Sequence, residues 1–329
     1  MATGDYQYKF ICSPLFMGLY MLSLLVSSLY LSGSAYSPPQ QIWIPLLSGF
    51  TDPAFYSAST SVLLTLAITG VSATIVFMIN SNYLGNEKKS ITLILLYLII
   101  VMAVPGTIFL RGSTLAAPFF LMAVYNAIKT SESEKSIFNA GFLTAVASLF
   151  YPHILATLPF IFYFTLVSSS FSFRSIALFM TSVFLPFLFL FALRYIVFDD
   201  ALLFAELFKD HLLSASSPTI KIESVADLFL VLFSFYLAYR AVSNLLGRLS
   251  TFKITNAITI TRFTVVLVVF LVLATINPDL QDGFMYLLAI PSAFILNEYL
   301  SNSRDDKIKR VELLILLILI SVSRISEFL

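Results

Sequence analysis

Residues 138–160 read FNAGFLTAVASLFYPHILATLPF, and this stretch decides the fold. Its first half is an apolar run with several small residues, and its second half starts directly after Tyr151, Pro152 and His153. A helix that crosses a bilayer needs about 20 residues, and the first half offers roughly 14 before the break. Short, interrupted apolar segments are stable at membrane depth where protein buries them or where they line a cavity. The stretch therefore predicts an interrupted helical hairpin next to a site.

The whole chain has the composition of a helical membrane protein. Of its 329 residues, 59% are hydrophobic and 11% are charged, whereas soluble domains carry roughly 25% charged residues. The net charge of +1 says nothing about nucleic acid, but the sequence has no basic stripe to bind it, so no nucleic-acid partner is predicted and membrane lipids are the expected environment. The single cysteine, Cys12, excludes an internal disulfide and a cysteine metal cluster. The N-terminal residues lack the features of a cleaved signal peptide, so we expect the first apolar run to stay as an anchor.

Apolar runs and the breaks between them predict an all-α polytopic bundle of about eleven spans in a single integral membrane domain, residues 1–329. The predicted spans are 10–31, 58–80, 91–110, 113–128, 138–151, 153–170, 175–197, 225–246, 262–276, 283–300 and 311–328. Basic residues are concentrated in alternate loops, which predicts a cytoplasmic N-terminus. The two longer loops, 32–57 and 198–224, are then periplasmic, and each suits an interfacial or re-entrant helix. The Thr-rich stretch 250–263 is predicted as an interfacial helix on the inner side.

Ionisable side chains near the predicted outer ends of the spans are the candidate site residues, because such groups at membrane depth usually serve a function. The candidate substrate- or phosphate-binding residues are Arg111, Tyr151, His153, Arg194 and His211. The candidate catalytic residues are Asp52, Asp199 and Asp200. Charges on the inner side are interpreted as solvated loop residues. No zinc-ligand spacing, phosphate-binding loop or dinucleotide motif is present, so no cofactor is predicted and a divalent cation is left open.

Several candidates also have a purely structural interpretation. Asp52 precedes Pro53 and an apolar run, which suits a helix N-cap as well as a catalytic base. The Arg111 side chain could extend to the lipid headgroups or could bind a phosphate. His153 could be a hydrogen-bonded histidine in a turn or could bind a ligand. The structural alternative for His211 is a position on a solvated helix face. The sequence leaves these alternatives open.

The functional interpretation combines the candidates into one site. Arg111 and Arg194 bind a lipid-linked phosphate, since arginine suits bidentate phosphate recognition. Asp52, or one aspartate of the pair at 199–200, accepts a proton from an acceptor hydroxyl. His153 binds the sugar or the phosphate. The structural alternative for residues 199–200 is the polar end of one span and the cap of the next helix.

The hairpin AGFLTAVASLFYPHILATLPFIFYF, residues 140–164, resembles the central hairpin of GT-C type glycosyltransferases. In that family a helix rich in Ala, Gly and Leu breaks at a turn and returns through a Leu-Pro stretch. A long outer loop after the first span carries an acidic catalytic residue, and Asp52 matches that position. The chain has one acid in this loop, where the family commonly has an acidic pair. The resemblance implies a GT-C-like arrangement and a polyprenyl-phosphate-linked sugar as the substrate.

Three further segments resemble an uncharacterised family of multi-spanning inner-membrane proteins from Bacteroidota. They read INSNYLGNEKKS, FLRGSTLAAPFFLMAVYNA and SIFNAGFLTAVASLFY. This resemblance implies a bacterial inner-membrane location and no particular reaction. The leading functional hypothesis is transfer of a sugar from a polyprenyl-phosphate carrier at the periplasmic face. The alternatives are a transporter or flippase of a lipid-linked substrate, and a non-enzymatic membrane subunit of an envelope-assembly complex.

Overall fold

The chain folds into α-helices joined by turns. The computed structural model describes residues 13–34, 58–84, 87–103, 107, 109–129, 134–168, 172–213, 225–276, 281–301 and 306–326. The twelve α-helices of these residues are α1 (Pro14–Ser34), α2 (Ala58–Ile79), α3 (Glu87–Val101), α4 (Gly112–Ile128), α5 (Glu134–Phe150), α6 (Leu158–Ser168), α7 (Phe173–Val197), α8 (Ala201–Leu213), α9 (Val225–Leu246), α10 (Ile254–Ile276), α11 (Gln281–Leu300) and α12 (Asp306–Ser326). A π-helical turn (Asn80–Leu84) extends α2, and 3-10 turns precede α6 (Pro152–Thr157) and α10 (Leu249–Thr251).

Four helical stretches are long and apolar enough to cross a membrane, judged by length and composition. They are α2 with its extension, α7, α9 and α10, and further shorter helices are also apolar. Large apolar side chains point away from the protein, such as Phe184 and Leu188 of α7, which are 66% and 68% exposed. Exposed apolar surface of this extent is expected where lipid covers it. The fold is therefore consistent with the predicted helical membrane protein.

Each predicted span overlaps one α-helix, and α8 lies in the predicted loop 198–224. The largest differences are at the end of α3 and at the start of α10. The predicted span 91–110 ends early, because α3 stops at Val101, ahead of Pro105 and Gly106 in the sequence. Proline lacks the N–H that a helix interior needs and restricts the residue before it, so a helix ends near such a pair.

The prediction of a separate interfacial helix at 250–263 is also wrong, because α10 runs without a break from Ile254 to Ile276. Its threonines suggested a polar surface segment. In the structure their hydroxyls donate to carbonyl oxygens one turn earlier: Thr261 to Ala257 at 2.8 Å and Thr264 to Ile260 at 2.9 Å. These local hydrogen bonds satisfy the hydroxyl groups without water and make a Thr-rich helix compatible with burial.

Helix α11 forms the centre of the bundle and packs against α3, α4, α9, α10 and α12. Tyr286, Ile290 and Phe294 on α11 are all buried. The Phe294 ring stacks on Phe263 of α10, with ring centroids 4.1 Å apart. The interrupted hairpin packs on the other side of this core, with α5 between α4 and α7. The predicted hairpin break is confirmed as the 3-10 turn at Pro152–Thr157.

Polar contacts define two ends of the bundle. At one end lie the start of α4, the turn after Tyr151 and the junction of α7 with α8; we call it the Tyr151 end. At the other lie the ends of α4 and α6, which Arg262 of α10 joins; we call it the Arg262 end. The predicted candidates that the structure describes belong to the Tyr151 end.

Candidate functional site

Arg111 is the N-cap residue of α4, with an extended backbone (φ −135°, ψ 161°). The prediction that Arg111 ends the third span is therefore wrong, because α3 has already stopped at Val101. Between the two helices, the Thr107 hydroxyl donates to the Val101 carbonyl oxygen at 2.6 Å. The end of α3 and the start of α4 thus meet at a helix break, and Arg111 lies on its far side. We call the segment from Val101 to Gly112 the first break.

Side chains from α2 and α11 hold the first break in place. The Ser61 hydroxyl of α2 accepts a hydrogen bond from the Leu110 backbone N–H at 2.8 Å. The Tyr286 hydroxyl of α11 donates to the Thr107 carbonyl oxygen at 3.0 Å and lies 3.1 Å from the Thr69 hydroxyl of α2. An irregular backbone inside a membrane needs such partners, because each unsatisfied polar group costs several kcal/mol there.

Arg324 of α12 supports the first break from a third direction. Its guanidinium donates to the carbonyl oxygen of Met102, directly after the last residue of α3. Arg324 is 3% exposed. Its positive charge at the carbonyl end of a helix also interacts favourably with the helix dipole. The last helix of the chain therefore fixes the segment that leads to Arg111.

The second break is the 3-10 turn of the hairpin. Tyr151 is its N-cap residue, and Pro152 takes the first position, where a missing N–H costs no hydrogen bond. The rings of Tyr151 and His153 lie 5.3 Å apart. The Tyr151 hydroxyl oxygen is buried, while its ring and that of His153 are partly exposed. This turn thus places a phenol and an imidazole at the Tyr151 end, with the Tyr151 hydroxyl oxygen and the His153 Nδ1 atom buried.

The two breaks lie next to each other. Leu110, the residue before Arg111, packs against Phe150, the residue before Tyr151. The structure therefore brings together Arg111, Tyr151 and His153, three of the predicted site residues. Tyr286 was not predicted, because an apolar run gives no sign that its tyrosine donates a hydrogen bond to the first break.

Arg194 and Asp200 pair with each other. The Arg194 Nε donates to one Asp200 carboxylate oxygen at 3.0 Å and Nη2 to the other at 2.5 Å. The Arg194 side chain is 7% exposed and that of Asp200 24%. The guanidinium also lies over the rings of Phe198 and Phe204. This arrangement joins the end of α7 to the start of α8, and a phosphate would have to compete with Asp200 for Arg194.

The remaining predicted residues fall around or outside this region. Asp199 is exposed and has a positive φ of 51°, a left-handed conformation that aspartate tolerates in turns. Leu149, just before the second break, packs with Phe204 of α8, so the α7–α8 junction flanks the same end. Asp52 lies outside the described residues. His211 belongs to α8, and its side chain also lies outside the described part.

Buried charges at the Arg262 end were missed. Arg262 is 5% exposed and donates to the Ala127 carbonyl oxygen at 2.9 Å and the Phe164 carbonyl oxygen at 3.2 Å. It therefore caps the carboxyl ends of α4 and α6 together. The prediction that inner-side charges are ordinary solvated residues is wrong for Arg262. Its position at the start of a predicted span was the available signal.

A second buried group joins α9, α11 and α12. Arg240 of α9 forms an ion pair with Glu312 of α12 and donates to the Tyr236 hydroxyl at 2.8 Å. Glu312 also accepts from the Tyr299 hydroxyl of α11 at 2.7 Å. The Lys309 ammonium lies over the Tyr299 ring, 4.8 Å from its centroid. Glu312 is 5% exposed. A scan for charges one or two turns inside each predicted span finds Arg240, whereas Glu312 is the second residue of its span.

The site and the fold together define a helical membrane protein with a polar, arginine-containing region at two adjoining helix breaks. Among the residues that the structure describes, no group of three or more His, Cys, Asp or Glu side chains is placed to hold a metal ion. The chain matches no protein-family model, no curated protein and no solved structure. Inference about its function therefore depends on the geometry of the Tyr151 end.

Proposed function

We propose that this protein is a GT-C-like membrane glycosyltransferase, which moves a sugar from a polyprenyl-phosphate carrier to an acceptor at the periplasmic face of a bacterial inner membrane. In this proposal the chain crosses the membrane about eleven times with a cytoplasmic N-terminus, so the Tyr151 end faces the periplasm. The observation that carries the proposal is the position of Arg111. It stands at a helix break that packs through Leu110 against Phe150, the residue before Tyr151, and that accepts a hydrogen bond from the Tyr286 hydroxyl at the Thr107 carbonyl oxygen.

The proposed chemistry needs a cation where the phosphate leaves. The acceptor hydroxyl oxygen forms a bond to the anomeric carbon of the sugar. The bond between that carbon and the phosphate oxygen breaks, and the polyprenyl phosphate departs with the electron pair. The hydroxyl proton goes to a carboxylate, for which Asp52 and Asp199 are the candidates. Arg111 neutralises the charge that develops on the departing phosphate, and the Tyr151 hydroxyl donates a hydrogen bond to it.

The other candidates take supporting roles. His153, beside Tyr151, is assigned to the sugar or the phosphate. His211 is retained as a substrate contact from α8. Arg194 and Asp200 are assigned to the connection between α7 and α8, because each occupies the other's hydrogen-bonding groups. This assignment reduces the predicted pair of phosphate-binding arginines to Arg111.

The test compares Arg111→Gln with Arg174→Gln in the purified protein, reconstituted in nanodiscs. Arg174 is a matched control, because it is exposed and pairs with Glu134 at the opposite end. We expect Arg111→Gln to weaken binding of a polyprenyl phosphate by about 10-fold or more, the effect of losing a charge-assisted hydrogen bond. Arg174→Gln should bind as the unmodified protein does. Equal affinity of both variants would reject Arg111 as the phosphate ligand.

A second candidate function, transport of a lipid-linked substrate, is favoured by the two helix breaks. Transporters commonly build substrate sites from interrupted helices, with helix N-termini directed at anionic groups. Both functions need the same phosphate contact, so a binding assay does not separate them. An assay in proteoliposomes separates them. A transferase forms a glycosylated acceptor on one side of the membrane, whereas a transporter moves the intact lipid-linked sugar between leaflets without breaking its phosphate bond.

A further inference from the structure

Helices α7 and α8 meet at a hinge of one residue. The hydrogen bond that ends α7 runs from the Phe198 N–H to the Arg194 carbonyl oxygen. The one that begins α8 runs from the Phe204 N–H to the Asp200 carbonyl oxygen. Asp199 lies between them with a φ of 51°, and among the described residues that are not glycine it alone has a positive φ. Hinges are a few residues at element ends that absorb a large change of φ and ψ, so the direction of α8 depends on Asp199.

Two phenylalanines of α8 attach it to the bundle. The main neighbours of α8 are α7 and the 3-10 turn of the second break. Phe204 is buried in one cluster with Leu149 of α5, and the Phe208 ring meets the Phe187 ring of α7 edge-on, with centroids 5.6 Å apart. By contrast, Leu202 of α8 is 77% exposed. An element with few buried apolar contacts opens at a low cost in free energy, and mobile lids are drawn from such elements.

The ion pair of Arg194 with Asp200 spans this hinge. Its two hydrogen bonds use both carboxylate oxygens of Asp200, the residue directly after Asp199. Such a bidentate pair fixes direction as well as distance, so it sets the angle at which α8 leaves α7. The Asp200 side chain is 24% exposed, so water can take the place of the arginine when the pair breaks. The pair therefore holds α8 in one position reversibly.

We propose that α8 is a hinged lid over the second break, which turns about Asp199 and which the Arg194–Asp200 ion pair holds closed. When the lid opens, Phe204 leaves the cluster that it forms with Leu149. Leu149 lies two residues before Tyr151 in the chain, so opening gives access to the second break from the α8 side. This inference goes beyond the proposed function: it holds for a transferase and a transporter alike, since either must admit a lipid-linked molecule to this end.

The experiment measures how fast a thiol at position 149 reacts with N-ethylmaleimide in the full-length protein, reconstituted in nanodiscs without substrate. The probe is Leu149→Cys in a Cys12→Ser background, which removes the single native cysteine. We expect Asp200→Asn and Arg194→Gln each to raise the reaction rate about 10-fold or more, because the rate follows the open fraction and the lost hydrogen bonds are charge-assisted. Arg174→Gln is the matched control and should leave the rate unchanged, because it breaks an exposed ion pair at the other end of α7.

Two substitutions at the hinge give a second test. Asp199→Val should raise the rate at position 149, because a β-branched residue is strained at a positive φ. Asp199→Asn should leave the rate unchanged, because asparagine tolerates that conformation as aspartate does. A second probe, Ser182→Cys, controls for general loosening of the bundle. Ser182 is fully buried where α7 meets Gly141 of α5, so a thiol there should stay unreactive in every variant.

Hydrogen exchange separates the movement of a lid from local unfolding. A lid moves as an intact helix, so the backbone amides of α8 should stay protected in Asp200→Asn while the thiol at position 149 reacts faster. Loss of amide protection throughout α8 would overturn the inference, and so would equal reaction rates in Asp200→Asn and Arg174→Gln. Neither result affects the proposed function, because binding of polyprenyl phosphate by Arg111 is measured separately.

Discussion

Substituting alanine for Gly141 tests the packing of the interrupted hairpin. A β-carbon at position 141 of α5 would lie 2.1 Å from the Ser182 Oγ of α7, 3.1 Å from the Phe179 carbonyl oxygen and 3.2 Å from the Phe179 ring. Ser182 is fully buried, and its hydroxyl donates to that carbonyl oxygen at 2.7 Å. The added methyl group must therefore displace a hydroxyl that is already hydrogen-bonded.

The expected magnitude follows from two opposing effects. Overpacking of a close contact costs about 1–3 kcal/mol, and alanine gains about 1 kcal/mol over glycine in a helix interior. We expect Gly141→Ala to lower the free energy of unfolding by up to about 2 kcal/mol. In a Ser182→Ala background the 2.1 Å contact no longer exists, and most of that loss should disappear.

Reversible unfolding in mixed detergent micelles measures these free energies. Gly70→Ala on α2 is the matched control, because no atom lies within 4 Å of the added β-carbon. The control should leave stability unchanged or raise it by up to about 1 kcal/mol. The reasoning is refuted if Gly141→Ala is as stable as Gly70→Ala, or if the effects of the changes at 141 and 182 simply add.

Three further predictions concern buried charges: the first two are measured in the same unfolding assay and the third by limited proteolysis. Arg240→Met and Glu312→Gln should each lower the free energy of unfolding by about 1–3 kcal/mol. Breaking a fully buried ion pair would cost more, but the Arg240 side chain is 33% exposed. The double variant should lose less stability than the sum of the two single losses. If the two losses simply add, the residues do not form a stabilising pair. Arg262→Gln should lower the free energy of unfolding by about 2–3 kcal/mol, because two hydrogen bonds to carbonyl oxygens are lost. Arg262→Lys should lower it by less. If Arg262→Gln is as stable as the unmodified protein, Arg262 does not cap these helices. Arg194→Gln should speed proteolysis near α8 as much as Asp200→Asn does, and an effect of only one of them would argue against the pair.

The sequence predicts the positions of the helices because long apolar runs and Pro-containing breaks mark them directly. The interrupted hairpin, with its turn at Pro152, is an example. The errors arise where side chains replace water as hydrogen-bond partners. Thr261 and Thr264 suggested a polar surface segment, yet their hydroxyls bond within α10. A sequence reports the polarity of a side chain but not whether a neighbouring carbonyl oxygen already satisfies it.

The candidate site was also predicted only in part. The sequence identified Arg111, Tyr151 and His153 through their positions at breaks, and the structure brings these residues together. Nothing in the sequence pointed to Tyr286, since its hydrogen bond to the Thr107 carbonyl oxygen connects residues far apart in the chain. The sequence also indicated Arg194 and Asp200 as separate functional groups, although they lie only six residues apart and pair across a turn. Long-range contacts and local charge pairing decide these roles, and neither is visible in composition or periodicity.

The helix dipole distinguishes Arg111 from Arg262 and Arg324. Arg262 donates to carbonyl oxygens at the carboxyl ends of α4 and α6, and Arg324 donates to one just after α3. A cation at a carboxyl end is stabilised by about 0.3–1 kcal/mol, or more when partly buried. Arg111 occupies the amino end of α4, where the dipole is positive and repels a cation by a comparable amount. An anion between Arg111 and the first turn of α4 turns this repulsion into attraction on both sides. If Arg111 binds the phosphate as proposed, that phosphate should stabilise α4 as well as the arginine.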